Sequence, residues 1–283
     1  MPGEWCNLAA VSDAPDASEF LDRLGKAGEG PHDIALAALM LASLDHPRER
    51  LEPLLSHLSE IAELARREAI MITSAQDGAR VLGRLLAGHY GYDGDRLSYD
   101  DPRNGDLIEV IQRRRGLPVA LGILYMHAAR AVGMEAAGLD TPAHFLLVLR
   151  KKDREAIVDP FNGAAVIDPD GASAPPGLGA PLAAGLAQRV SDTDVLLRLQ
   201  NNLRLRALRA GDQARALEIA ARMVQIGPGR ADLWLDLARL NEAMGAPGAS
   251  RRAYEACLRI AKPGENLHNE AALGLAGLKR LIN

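Results

Sequence analysis

The chain has few aromatic residues. Its 3 Phe, 2 Trp and 5 Tyr make up 4% of 283 residues, so its core has to be assembled from Leu, Ala, Ile and Val. That composition favours helices. Cysteine is scarcer still: Cys6 and Cys257 lie at opposite ends of the sequence, which argues against a structural disulfide. No segment reaches the ~18 uninterrupted apolar residues of a membrane span, and Met1 to Pro15 has no basic stretch followed by an apolar run. A cytoplasmic protein without membrane association is expected. Excess positive charge is also missing, since 33 basic against 37 acidic residues give a net charge of −4 and no attraction to nucleic acid. There is no glycine-rich phosphate loop, and His32, His46, His57, His89, His127 and His268 have no Cys or His neighbour at zinc-ligand spacing. Neither a cofactor nor a metal is expected.

What is present is a 48% hydrophobic content, that of a folded chain with one large or two ordinary domains. From Pro31 onward apolar residues recur at three and four positions. Ile34 to Leu44 forms one stripe, Leu51 to Ala65 a second with Glu and Arg opposite, and Ala79 to Leu86 a third that stops at the turn residues Gly88 to Gly94. Leu107 to Ile111 makes a short helix ended by Arg113, Arg114, Arg115 and Gly116. Pro118 then stands where a helix start tolerates its missing N–H, and Val119 to Val132 is apolar nearly all round, as in a buried helix. The period changes at Phe145 to Leu149 and Ala156 to Val158, two runs of β-formers that read as a hairpin.

Pro169 to Gly179 has linker composition, which places a domain boundary near Ala187. Beyond it the sequence repeats every 34 residues: Gly211 aligns with Gly245, Ala216 with Ser250, Ala220 with Tyr254 and Met223 with Cys257. This is the period of paired-helix tetratricopeptide units. Trp234, Leu237 and Ala238 occupy the packing positions of a first helix, where the preceding copy has Gln200, and Leu267 to Ile282 reads as a capping helix. Cys257, at a small packing position, reads as core. The expected spans are an extension over 1–30, an α+β, mostly helical domain with a small antiparallel sheet over 31–187, and an all-α array over 188–283.

Four short elements carry possible chemistry: Tyr99-x-Asp101-Pro102-x-Asn104, the basic-Gly-x-Pro run Arg113 to Pro118, Pro142-Ala143-His144-Phe145, and Asp159-Pro160-Phe161-x-Gly163. A helix opening after Gly-Leu-Pro, then a histidine opening one strand, then an aspartate closing the next, resembles the papain-like transglutaminase core. In combination with the C-terminal repeats, the chain resembles bacterial transglutaminase-like proteins of the Sir B invasion-regulator group. In such a core a cysteine at a helix N-terminus attacks, histidine is its base, and aspartate orients the ring. The resemblance puts His144 and Asp159 at the second and third triad positions, with Ala143 replacing the family's glycine.

Counting back from Arg130 and Gly133, the first position falls at about Val119 or Ala120, neither of which can attack a carbonyl. The resemblance therefore implies a pseudoenzyme. It would be a regulator or adaptor binding a protein or peptide through the remnant cleft and the repeats, with Tyr99, Asp101, Asn104, Arg114, Arg115 and Trp234 as candidate binding residues. The alternative is a hydrolase or acyl transferase that uses His144 and Asp159 with another nucleophile. Each residue also has a plainer reading. His144 can be a hydrogen-bonded core histidine, Asp159 the start of a turn, and the arginine run a solvated helix end.

Overall fold

A computed structural model describes residues 16–141, 144–168 and 187–282. Cys6, Pro142, Ala143 and the linker over 169–179 lie outside them. The chain forms two compact units, one of Glu29–Leu196 with residues up to Phe20, the other of Leu21–Gly28 with Leu197 onward. This division differs from the expected spans at two points: it falls after Ala187, and part of the supposed N-terminal extension joins the repeats.

The helices are α1 (Ala17–Ala27), α2 (Ile34–Ser43), α3 (Glu52–Glu68), α4 (Ala75–Gly83), α5 (Leu107–Arg113), α6 (Pro118–Ala131), α7 (Asp192–Arg209), α8 (Gln213–Ile226), α9 (Ala231–Ala243), α10 (Pro247–Ile260) and α11 (Asn266–Ile282). Capping fixes several starts. Asp33, Ser74 and Asp106 each accept a backbone N–H of the first turn, from Leu36, Asp77 and Glu109. Helix α5 ends where Arg114 turns left-handed, at φ 57°.

In the first unit α6 is the centre, with every residue from Pro118 to Met126 buried. Around it lie α2, α3, α4 and an antiparallel sheet. The strands are β1 (Asp93–Gly94), β2 (Arg115–Gly116), β3 (Glu135–Asp140), β4 (Phe145–Lys151), β5 (Arg154–Asp159), β6 (Ala165–Ile167) and β7 (Gln188–Val190). The sheet order is β6-β5-β4-β3-β7, while β1 and β2 form a separate parallel pair. Phe145 to Leu149 is buried without alternation, as in a strand covered on both faces; α6 and α4 both pack against it. Gly122 on α6 makes the approach possible: a Cβ there would lie 2.6 Å from the Phe145 ring.

The second unit is all helix. Gly211 and Gly245, aligned by the repeat, both have positive φ, 75° and 67°, which is the left-handed turn between paired helices that glycine adopts without strain. Its core includes Leu235, Ala238, Tyr254 and Cys257, with Trp234 packed against it. Cys257 is fully buried, and burial pushes its thiol pKa up. Leu21 is fully buried too, and Asp22 accepts a hydrogen bond from Gln225 Nε2 at 2.8 Å, so α1 is an integral part of this unit. The mostly helical α+β class, with a small antiparallel sheet followed by a helical array, is the one the sequence implies.

Candidate functional site

His144 immediately precedes β4 and Asp159 closes β5. The antiparallel register, with Leu147 opposite Val158, brings the start of one strand beside the end of the other. His144 Nε2 lies 3.1 Å from Asp159 Oδ1. The carboxylate is 1% exposed. It also accepts the Phe161 N–H at 2.9 Å and the Asn162 side-chain amide at 2.6 Å, which makes it the cap of the turn Pro160–Asn162. Burial pushes the Asp159 pKa up, but the hydrogen bond and charge of His144, with Asn162 and the Phe161 amide, outweigh it and hold the group below the usual carboxylate range. Asp159 thus begins a turn and partners the histidine; the two readings of the residue are compatible.

Phe161 organises the surroundings. The His144 ring meets it edge-on at 6.2 Å between centroids, Tyr99 at 5.9 Å, and the Arg96 guanidinium lies 4.9 Å from its centroid. Arg96 also donates to the Phe161 carbonyl and to Asp93, both at 3.1 Å. Tyr99 is 44% exposed and Leu97 fully so, which leaves an aromatic and aliphatic lip on this side of the pair.

Val119 and Ala120 are buried in the first turn of α6. The Thr141 hydroxyl donates to the His144 backbone carbonyl at 2.6 Å, so it braces the histidine from the main-chain side. The Tyr125 hydroxyl is buried without a hydrogen-bond partner among the described residues. Burial first, then the charges of Asp93 and Asp159, push its pKa up.

The other candidates divide. Asp101 caps the turn Pro102–Gly105 and pairs with Arg103. Asn104 is fully buried, donating to the Ser98 carbonyl at 2.6 Å and accepting from Arg113 at 3.2 Å. Both hold the loop that presents Tyr99. Arg114 is enclosed, its guanidinium 4.7 Å from the Tyr92 ring centroid and donating to His57 Nε2 at 2.6 Å. The arginine run is therefore not a solvated helix end. Only Arg115 of the three is exposed, and it donates to the Gly91 carbonyl at 3.0 Å. Trp234 belongs to the repeat unit, where Nε1 donates to the Pro228 carbonyl at 2.8 Å.

Two networks went unread in the sequence. Arg130 grips both oxygens of buried Asp192, at 2.7 and 2.6 Å, and donates to the Ala136 carbonyl at 2.8 Å. The Arg130-x-x-Gly133 element is its only local mark in the sequence. The second is the contact among His57, Tyr92 and Arg114, whose members are separated by 35 and 57 residues, beyond any local pattern.

Imidazole–carboxylate pairing on a hairpin against a buried helix, followed by paired helices, defines a transglutaminase-like core joined to tetratricopeptide units. Residues 52–201 match the transglutaminase-like superfamily and residues 203–272 match the tetratricopeptide repeat. The chain belongs to the transglutaminase-like superfamily and, within it, to the UPF0162 group of bacterial proteins. It is 30% identical over 224 residues to the UPF0162 protein of Pseudomonas aeruginosa, covering 77% of this chain and 82% of that protein. A UPF0162 protein of Xylella fastidiosa is 29% identical over 239 residues, covering 82% of this chain and 79% of the relative. Human F-box only protein 21 is 29% identical over 98 residues, 34% of this chain and 16% of that protein. Among solved structures, menin shares the fold at a TM-score of 0.52 and 12% identity, over 93% of this chain and 66% of menin's. No helix among the described residues is long and apolar enough to cross a membrane.

Proposed function

We propose that the chain is a non-catalytic member of its superfamily, related to the Sir B regulator group, that binds a protein or peptide through the lip beside His144 and through its repeats. One observation carries this reading: the imidazole and carboxylate are paired, while the first triad position that the resemblance implies falls at about Val119 or Ala120, both buried and neither a nucleophile. Two hydroxyls of the described core support it. Thr141 is engaged with the backbone, and the raised pKa of Tyr125 makes it a poor attacking group. Tetratricopeptide arrays present extended surfaces that generally engage other proteins. The description of menin, which shares the fold, names a binding site for the Mixed Lineage Leukemia protein. In this reading the pair fixes the Phe161 turn and offers polar contacts within the old substrate cleft.

The test is crosslinking of the whole chain in native cell extract, with adducts mapped by mass spectrometry. The reading expects one partner crosslinked both near Leu97–Tyr99 and in the repeats, with recovery reduced by Tyr99→Ala. Hydrolysis or transfer of a peptide amide by the purified chain, abolished by His144→Asn, would replace it with the acyl-transfer reading.

A further inference from the structure

We propose that a cavity between the end of α3 and the turn after α4 binds a small organic anion, a carboxylate carried on a short apolar body. This goes beyond the binding role above and concerns a separate place in the first unit. Helix α4 does not end cleanly. It runs into a π-helical turn, Arg84–His89, in which the Tyr90 N–H reaches back to the Leu85 carbonyl at 3.1 Å. Such wide turns are rare and are found disproportionately where a chain shapes a functional site.

Here the turn shapes a cavity of about 260 Å³. Leu64 of α3, Val81 of α4 and Leu85 of the turn line it with apolar surface, and Val81 and Leu85 are buried. Arg67, Arg84 and His89, all three exposed, complete the lining with Glu68. Neither the Arg67 nor the Arg84 side chain has a hydrogen bond or ion pair among the described residues, whereas the Arg80 side chain, one turn before Arg84, is held by Asp77 at 2.9 Å. Glu68 is the single acidic group at the cavity. Two unengaged guanidiniums above an apolar floor match an amphipathic anion, because the planar fork of arginine takes a carboxylate with two parallel hydrogen bonds. The volume falls below the ~300–1,000 Å³ usual for drug-sized ligands, which selects a short molecule over a nucleotide. The opposite side of the same segment packs on the turn after Asp159: a Cβ on Gly83 would lie 2.6 Å from the Gly163 carbonyl oxygen. The cavity and the His144 pair are therefore neighbours with separate linings.

Calorimetric titration of the whole chain with hexanoate and with 3-phenylpropionate, each against its neutral amide, tests the proposal. Saturable binding of at least one acid is expected, with neither amide binding and Arg84→Gln weakening the acid about tenfold, the loss of one charge-assisted contact. Because Arg84 is exposed, the unliganded melting temperature of that variant should stay at the parent value, and Arg67→Gln gives a second, independent check. The proposal is overturned by equal binding of acid and amide. It is overturned equally by parental affinity in both arginine variants, or by no saturable response to either acid at about 10 mM, a concentration that reveals even millimolar sites.

Discussion

Two histidines of the first unit sit against opposite kinds of partner. His144 faces a buried carboxylate; His57 faces a guanidinium and a phenol. Arg114 donates to His57 Nε2 at 2.6 Å, and the Tyr92 hydroxyl lies 2.8 Å from the same nitrogen. Burial first, then the Arg114 charge, lowers the His57 pKa to about 4, despite the opposing pull of Glu60. That ring is kept neutral and serves as an acceptor locking β2 and its preceding Arg114 against α3. The carboxylate at His144 instead can orient a ring for polar contact at an accessible lip, the arrangement a hydrolytic core would use. A histidine's chemistry is thus set by what is packed on it, and one residue type serves as a structural pin in one place and a carboxylate-paired group in another.

The largest expected effect breaks the scaffold both clusters share. Leu124, 1% exposed on α6, should cost on the order of 2–5 kcal/mol when replaced by alanine, read from chemical unfolding. An unchanged midpoint would show that α6 does not anchor the two sites. Next is Asp159→Ala, which leaves the Phe161 N–H, the Asn162 amide and the His144 ring without their acceptor. A loss of roughly 2–4 kcal/mol is expected, against about 0.5–3 kcal/mol for His144→Asn, where the carboxylate keeps its other donors. Equal losses would mean that the pair acts only as a pair and not also as a turn cap.

Acid separates the clusters. The folded His57 pKa lies below its unfolded value, so the unfolded chain binds more protons between the two. The His57 contribution is therefore complete above about 6.5 and is lost as pH falls through about 4. Asp159, also lowered, contributes fully above the normal carboxylate value and loses its contribution only at still lower pH. Unfolding series at pH 7, 5 and 4 should show about 1–2 kcal/mol of acid sensitivity that His57→Gln removes and His144→Asn leaves in place, after allowing for solvent screening. The last prediction concerns Ala120→Cys in the buried first turn of α6. If the helix start and His144 together serve a thiol at that place, it should alkylate faster at neutral pH than free cysteine, while a rate no faster would show a cleft not organised for acyl transfer.

Much of this was legible where the pattern is local. Pro118 marks α6, the β-rich runs mark β4 and β5, and the 34-residue period aligns Gly211 with Gly245, which both take positive φ in the structure. Strand β3, Glu-Ala-Ala-Gly-Leu-Asp, has no β-branched residue and owes its conformation to β4 and β7 on either side. Helix α1 was hidden because its amphipathic run is short and its partner, Gln225, is distant in sequence. The His144–Asp159 pair could be anticipated because a hairpin joins the two residues. The setting of Arg114 could not, since three separate segments build it.

The central claim is that the imidazole–carboxylate pair has no nucleophile to activate. The purified chain, incubated with an activated acyl ester and examined by intact mass and peptide mapping, tests it most directly. The account predicts no covalent acyl adduct whose formation depends on His144. A stoichiometric adduct on a residue of the first unit, present in the parent and lost in His144→Asn, would contradict it.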